Sequence, residues 1–224
     1  MKEKAKKILI IIGCSILVLI AIIAQISNNI TKAKLKNLKV QDENIVFYGD
    51  SITEGYNVKE FFYEYHVVNS GISGNVTEDL INRIDSDLID YNPSVVILQI
   101  GTNDIRRSVN EKDILNNIKK IVKYIRKNRK NAEIYIESIY PINRDKDKDY
   151  WENLTDKYNN KTIMNINKQL ERYCNSNNIT YIDVYSKLTD DKGNLKAVYT
   201  KEGLHLNDLG YYKVTTTIKE YLKN

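Results

Sequence analysis

A chain of 224 residues with a formal net charge of +5 has room for one medium-sized domain, and no basic, aromatic-interleaved face marks it for nucleic acid. Its two cysteines, Cys14 and Cys174, lie in separate regions and exclude an intradomain disulfide framework. With only two histidines beside them, they also argue against a zinc site.

Met1–Lys7 is a basic N-terminal segment, and Ile8–Ile26 follows as 19 residues without a charge. As a helix that run would be about 28 Å long, close to the ~30 Å hydrocarbon core of a bilayer, which predicts a single-pass transmembrane signal anchor. A cleaved signal peptide, with Ala24 at the cut, is the alternative. Lysines flank both ends of the span, so the positive-inside rule does not orient it. An N-terminal anchor ahead of one long domain leaves that domain outside the cytoplasm, so the expected place is the cell membrane, or secreted if the leader is cut. Residues 27–43 read as a lysine-bearing linker and 44–224 as the folded domain. The wealth of Lys, Asn, Ile and Tyr suits an AT-rich, bacterial genome.

Within the domain, β-rich runs alternate with helical stretches. Strands are predicted at Ile45–Tyr48, Val67–Asn69, Val95–Ile100, Glu133–Ile139 and Thr180–Val184. Apolar residues at helical spacing predict helices over Thr77–Tyr91, Glu111–Arg129, Thr162–Asn175 and Leu209–Leu222. Strand and helix in repeated alternation point to an α/β fold with a five-stranded parallel sheet covered on both faces. In such sheets active residues gather beyond the carboxyl ends of the strands. Ser51, Gly74, Asn103 and the turn after Ile139 all fall at such ends. Pro141–Asn160 is a polar insert whose charge run reads most simply as a solvated loop; because it follows a strand end it can overhang the site, and its Trp151, the only tryptophan, could then line a substrate pocket.

Ser51 opens the turn after the first strand, and His205 lies near the C-terminus with Glu202 three residues before it. A hydroxyl, an imidazole and a carboxylate are the parts needed to attack an ester at neutral pH. Alone, Ser51 would serve equally well as a helix N-cap. His66 has nothing beside it that suggests a base and reads as structural. Asp50 and Asp104 adjoin site residues and are expected to brace their loops.

Four blocks now stand in order: Gly49-Asp50-Ser51-Ile52, Gly71-Ile72-Ser73-Gly74, Gly101-Thr102-Asn103-Asp104 and Glu202-Gly203-Leu204-His205. They resemble the four blocks of the SGNH (GDSL) hydrolases, from about Asn44 to Tyr212. The resemblance implies a flavodoxin-like three-layer α/β/α sandwich and ester or thioester hydrolysis through an acyl-enzyme, without a cofactor or metal. By matching motifs it implies Ser51 as nucleophile, His205 as base, and an oxyanion hole made of the Ser51 and Gly74 N–H groups and the Asn103 amide. Glu202 departs from the family, which usually has aspartate there; it orients His205 if the turn adjusts, or swings away and leaves a dyad. The implied substrates are acyl or acetyl esters of lipids, as for lysophospholipases, or of cell-envelope glycans. Two other readings stay open: an acyltransferase to glycans, and a non-catalytic module that binds a lipid or glycan.

Overall fold

The five β-rich runs become five parallel strands: β1 (Asn44–Gly49), β2 (His66–Gly71), β3 (Val95–Gln99), β4 (Glu133–Glu137) and β5 (Thr180–Ile182). They pair in the order β2-β1-β3-β4-β5. This computed structural model describes residues 19–29, 44–152 and 158–222. Ile45, Val46, Phe47 and Tyr48 on β1 and all of β3 are buried, as expected of parallel strands covered on both faces.

The helices form the two outer layers of a three-layer sandwich. The turn after β1 carries α1 (Ser51–Glu54) and α2 (Val58–Phe61). Beyond β2 come α3 (Thr77–Asn82), α4 (Ile84–Asp87) and a 3₁₀ turn, Ile89–Tyr91. β3 leads into α5 (Thr102–Arg106) and α6 (Glu111–Asn128); α7 (Lys148–Trp151) lies in the insert. α8 (Asn160–Ser176), α9 (Tyr185–Leu188) and α10 (Asp208–Leu222) complete the chain. α6 packs against α3 and α8. It buries the stripe Ile114, Ile118, Ile121, Val122 and Ile125, and Asn110 caps it by accepting from Lys112 N at 2.9 Å.

The stretch Thr77–Tyr91 is not the single helix that its periodicity predicts. Arg83 turns inward, its Nη2 donating to Gly49 O at 2.8 Å and Ser70 O at 3.1 Å. Its guanidinium lies over the Tyr48 ring at 4.6 Å. The backbone gives way at Arg83 (φ −108°, ψ 13°), separating α3 from α4. Tertiary hydrogen bonds override the helical period there.

The chain divides into two units, Met1–Asp42 and Glu43–Asn224. In the first, residues 19–29 form a helix with Leu19, Ile20, Ile22, Ile23 and Ile26 exposed. Of the expected transmembrane span Ile8–Ile26, residues 8–18 lie outside the described residues, as do 30–43 of the linker. No helix among the described residues is long and apolar enough to cross a membrane.

Candidate active site

β1 leads to β2 on one side, and the chain then returns to β3 on the other side of β1. The order of strands thus reverses between β1 and β3, the place where a parallel sheet opens a crevice beyond its carboxyl ends. Ser51 leaves β1 into that crevice, and Asn103 leaves β3 into it. Asp50 N-caps α1, with Oδ1 accepting from Ile52 N at 2.9 Å, and so fixes the turn that presents Ser51. From the C-terminal helix, Tyr211 of α10 donates to Ile52 O at 2.8 Å and stacks on Tyr56 at 4.7 Å.

The same α10 begins directly after the histidine loop, where Asn207 Oδ1 accepts from Gly210 N at 3.0 Å. His205 Nε2 lies 3.2 Å from Ser51 Oγ, across 154 residues of sequence. On the other edge of the ring, Glu202 Oε1 stands 2.5 Å from Nδ1 and also accepts from His205 N at 2.9 Å. A carboxylate facing Nδ1 assigns the ring proton to that nitrogen and leaves the Nε2 lone pair toward the serine. Glu202 has not swung away: the longer stem folds back far enough to hold both the backbone and the ring of His205.

The loop that carries these two residues is clamped. Gly203 has φ +102°, and a Cβ there would stand 2.0 Å from Asn143 O. Asn143 N donates to Gly203 O at 2.8 Å, and Thr200 Oγ1 accepts from Gly203 N at 2.8 Å. Only glycine permits both that conformation and that approach. Trp151, the candidate for a pocket wall, belongs to the same clamp. It is 2% exposed, and its Nε1 donates to Glu202 O at 3.0 Å. Buried tryptophan needs an acceptor for its N–H, and here the acceptor is the backbone of the histidine loop. Trp151 is therefore a strut beneath the loop and not a pocket wall. Asn160 closes the neck of the insert, exchanging two 2.8 Å hydrogen bonds with the backbone of Ile142.

Gly71 cannot supply the second oxyanion donor, because its N–H donates to Asn69 Oδ1 at 2.9 Å. The Gly74 and Ser51 N–H groups donate to no protein acceptor among the described residues. Gly74 has φ +78°, and its carbonyl accepts from Arg107 Nη2 at 2.9 Å. Asn103 Nδ2 donates to Asn75 O at 3.1 Å and only weakly to Asp50 Oδ2 at 3.5 Å. One of its hydrogens is anchored, and the other can turn to a developing oxyanion.

Asp104 accepts from Thr77 Oγ1 at 2.6 Å and from Thr77 N, tying α5 to the start of α3. Burial raises its pKa, against the opposing pull of those bonds. Burial also pushes the Asp50 carboxyl up to about 7. His66 is exposed and bonded to Asn44 at the far end of β1. Arg83 and Arg107 are site residues that sequence reasoning missed. Among the described residues no three His, Cys, Asp or Glu side chains are arranged to hold a metal ion.

The sequence profile of the GDSL-like lipase/acylhydrolase family matches residues 47–213. The chain belongs to that family. Lipases and acylhydrolases cleave ester bonds, and residues 47–213 are such a hydrolase domain. The chain is 32% identical to a Streptococcus pneumonia structure described as a platelet activating factor. The match covers 90% of this chain and 99% of that one, with a TM-score of 0.75. A Bacteroides thetaiotaomicron GDSL-like lipase shares the fold at 24% identity and TM-score 0.71, over 86% of this chain and 96% of that one. An Escherichia coli N-acylneuraminate cytidylyltransferase is 31% identical over 88% of this chain and 44% of its own length. A Drosophila melanogaster platelet-activating factor acetylhydrolase IB subunit beta homolog is 31% identical over 51% of this chain and 52% of its own. The chain thus spans about half the length of the curated relatives it matches.

Proposed function

We propose that this protein is a serine esterase that removes acyl or acetyl groups from lipid or cell-envelope glycan esters through an acyl-enzyme. One observation carries the reading: three side chains from opposite ends of the domain meet as Ser51 Oγ, His205 Nε2 at 3.2 Å and Glu202 Oε1 at 2.5 Å from Nδ1. Ser51 Oγ attacks the ester carbonyl carbon while its proton passes to His205 Nε2. The imidazolium that results is held by Glu202. The carbonyl oxygen, now an oxyanion, takes the N–H groups of Ser51 and Gly74 and the amide of Asn103. Collapse breaks the bond to the alcohol oxygen, which leaves with the proton from His205. Water, deprotonated by the same imidazole, then releases the acid and restores Ser51.

A small acyl group is favoured by the likeness to a relative named as a platelet-activating factor acetylhydrolase subunit homolog. The uncharged run Ile8–Ile26 is long enough for a membrane anchor, and in this reading the domain lies outside the cytoplasm, beside such substrates. The test is turnover of p-nitrophenyl esters from acetyl to long acyl by the full chain in mild detergent, beside Ser51→Ala. Turnover is expected to be fastest on acetyl and absent from the variant. Turnover that survives in Ser51→Ala would sink the proposal.

A further inference from the structure

One side chain outside the four sequence blocks is tied to every segment that supplies an oxyanion donor. Arg83 stands where α3 gives way to α4, and its side chain is 13% exposed. Each of its N–H donors finds an acceptor. Nη2 donates to Gly49 O at 2.8 Å, in the strand end that leads to Ser51, and to Ser70 O at 3.1 Å, in the strand end that leads to Gly74. Nη1 donates to Ser70 Oγ at 3.3 Å and pairs with Asp87 Oδ2 at 3.0 Å. Nε donates to Asn75 Oδ1 at 2.7 Å.

Asn75 connects this fork to the third donor. Its carbonyl accepts from Asn103 Nδ2 at 3.1 Å, the bond that anchors one amide hydrogen and leaves the other for the oxyanion. Asn75 also shares a peptide unit with Gly74, whose N–H is the second donor. At Gly49 O the Ile72 N–H converges with Arg83, at 3.2 Å, so the serine strand and the Gly74 loop meet on one carbonyl. Donors stabilise an oxyanion only when they are aimed before the charge develops, and the Arg83 fork fixes all three against one another. Lysine cannot take its place. An ammonium gathers three donors at one point, whereas these acceptors are spread along the edges of a planar group.

We propose that Arg83, acting through Asn75, is a positioning residue that sets the oxyanion hole. It holds the Asn103 amide and the Gly74 loop in place against the Ser51 turn. The inference rests on the esterase reading. Its test pairs hydrolysis of p-nitrophenyl acetate with inhibition by phenyl trifluoromethyl ketone, for the full chain, Arg83→Lys, Asn75→Ala and the double variant. Ser51 Oγ adds to the ketone carbon, its proton passes to His205, and the former carbonyl oxygen becomes the oxyanion that the hole must hold. Rates are counted per active site, titrated with a serine-directed organophosphonate, so that misfolded chains drop out. Arg83→Lys is expected to lower kcat about 10–10²-fold, toward the ~10²–10³ of a lost donor, with KM within about twofold. Asn75→Ala removes only the bond to Nε, so it also serves if Arg83→Lys does not fold, and should lower kcat about 3–30-fold. The ketone inhibition constant should rise by the factor by which kcat/KM falls, and the double variant should be no slower than Arg83→Lys. A purely structural role would cost stability and active sites while per-site turnover and ketone affinity stayed at wild-type values. That result overturns the proposal, as do losses that multiply in the double variant. No ester turnover and no ketone binding by the wild type would instead sink the esterase reading, and this inference with it.

Discussion

Glutamate in place of the family's usual aspartate makes a directional prediction. If Glu202 were a misplaced acid, Glu202→Asp would raise turnover; the structure predicts that it lowers it. Oε1 sits 2.5 Å from His205 Nδ1 and 2.9 Å from His205 N. Aspartate is shorter by one carbon–carbon bond, about 1.5 Å, which takes the oxygen to about 4 Å from Nδ1 and out of hydrogen-bond range. The backbone cannot follow, because Trp151 holds Glu202 O, Thr200 holds Gly203 N, and Gly203 abuts Asn143 O. Removing the acid alone from a serine protease triad costs about 3 × 10⁴ in turnover. Glu202→Asp, which keeps the charge but loses the contact, should cost about 10–10³, and Glu202→Gln about 10²–10⁴. The assay is steady-state hydrolysis of p-nitrophenyl acetate, with thermal melts to show that each variant is folded. A folded Glu202→Asp protein as fast as or faster than the wild type would refute the reasoning.

Three further outcomes follow from the geometry. Arg107→Ala releases the Gly74 peptide from its 2.9 Å tether, so kcat should fall about tenfold or more with little change in KM, toward the ~10²–10³ loss of a whole oxyanion donor; an unchanged kcat contradicts the assigned tether. Trp151→Phe keeps the ring but strips Glu202 O of its donor, and should cost about 1–3 kcal/mol in urea unfolding together with a lower kcat. A variant with wild-type stability and rate would remove Trp151 from the clamp. Burial pushes the Glu137 carboxyl up to about 7, against the hydrogen bond from Tyr140, so the folded state holds a proton that the unfolded chain has released by about pH 5. The stability from this neutral form is full below the ordinary glutamate pKa and is lost as pH rises through about 7. Glu137→Gln should therefore recover roughly 3 kcal/mol of the decline between pH 4 and 8, measured as unfolding free energy against pH; an undiminished decline refutes the assignment.

The strands were legible because burial on both faces leaves a mark in sequence: Ile45-Val46-Phe47-Tyr48 and Val95–Ile100 admit little besides apolar residues. The ends of those strands were legible for a chemical reason, since a nucleophile, a flexible glycine and an amide must stand there together. The break at Arg83 was not, because helical periodicity knows nothing of a carbonyl at Gly49 that needs a donor. Trp151 was misjudged in the same way. A lone tryptophan in a polar insert suggests a surface, and only the fold brings the Glu202 carbonyl to its N–H. Arg107 stood in plain view after Gly101-Thr102-Asn103-Asp104. Sequence alone, however, does not say that its guanidinium is spent on the Gly74 carbonyl. Glu202 was ambiguous for want of a distance.

The central claim is that Ser51 is a nucleophile activated by His205, and covalent labelling tests it most directly. The full chain would be treated with a serine-directed organophosphonate and followed by intact-mass and peptide-level mass spectrometry. The account predicts one phosphonyl group per chain, on Ser51, absent from Ser51→Ala and formed far more slowly in His205→Ala. Ester turnover by a chain that stays unlabelled at Ser51, or carries its label on another residue, would contradict it.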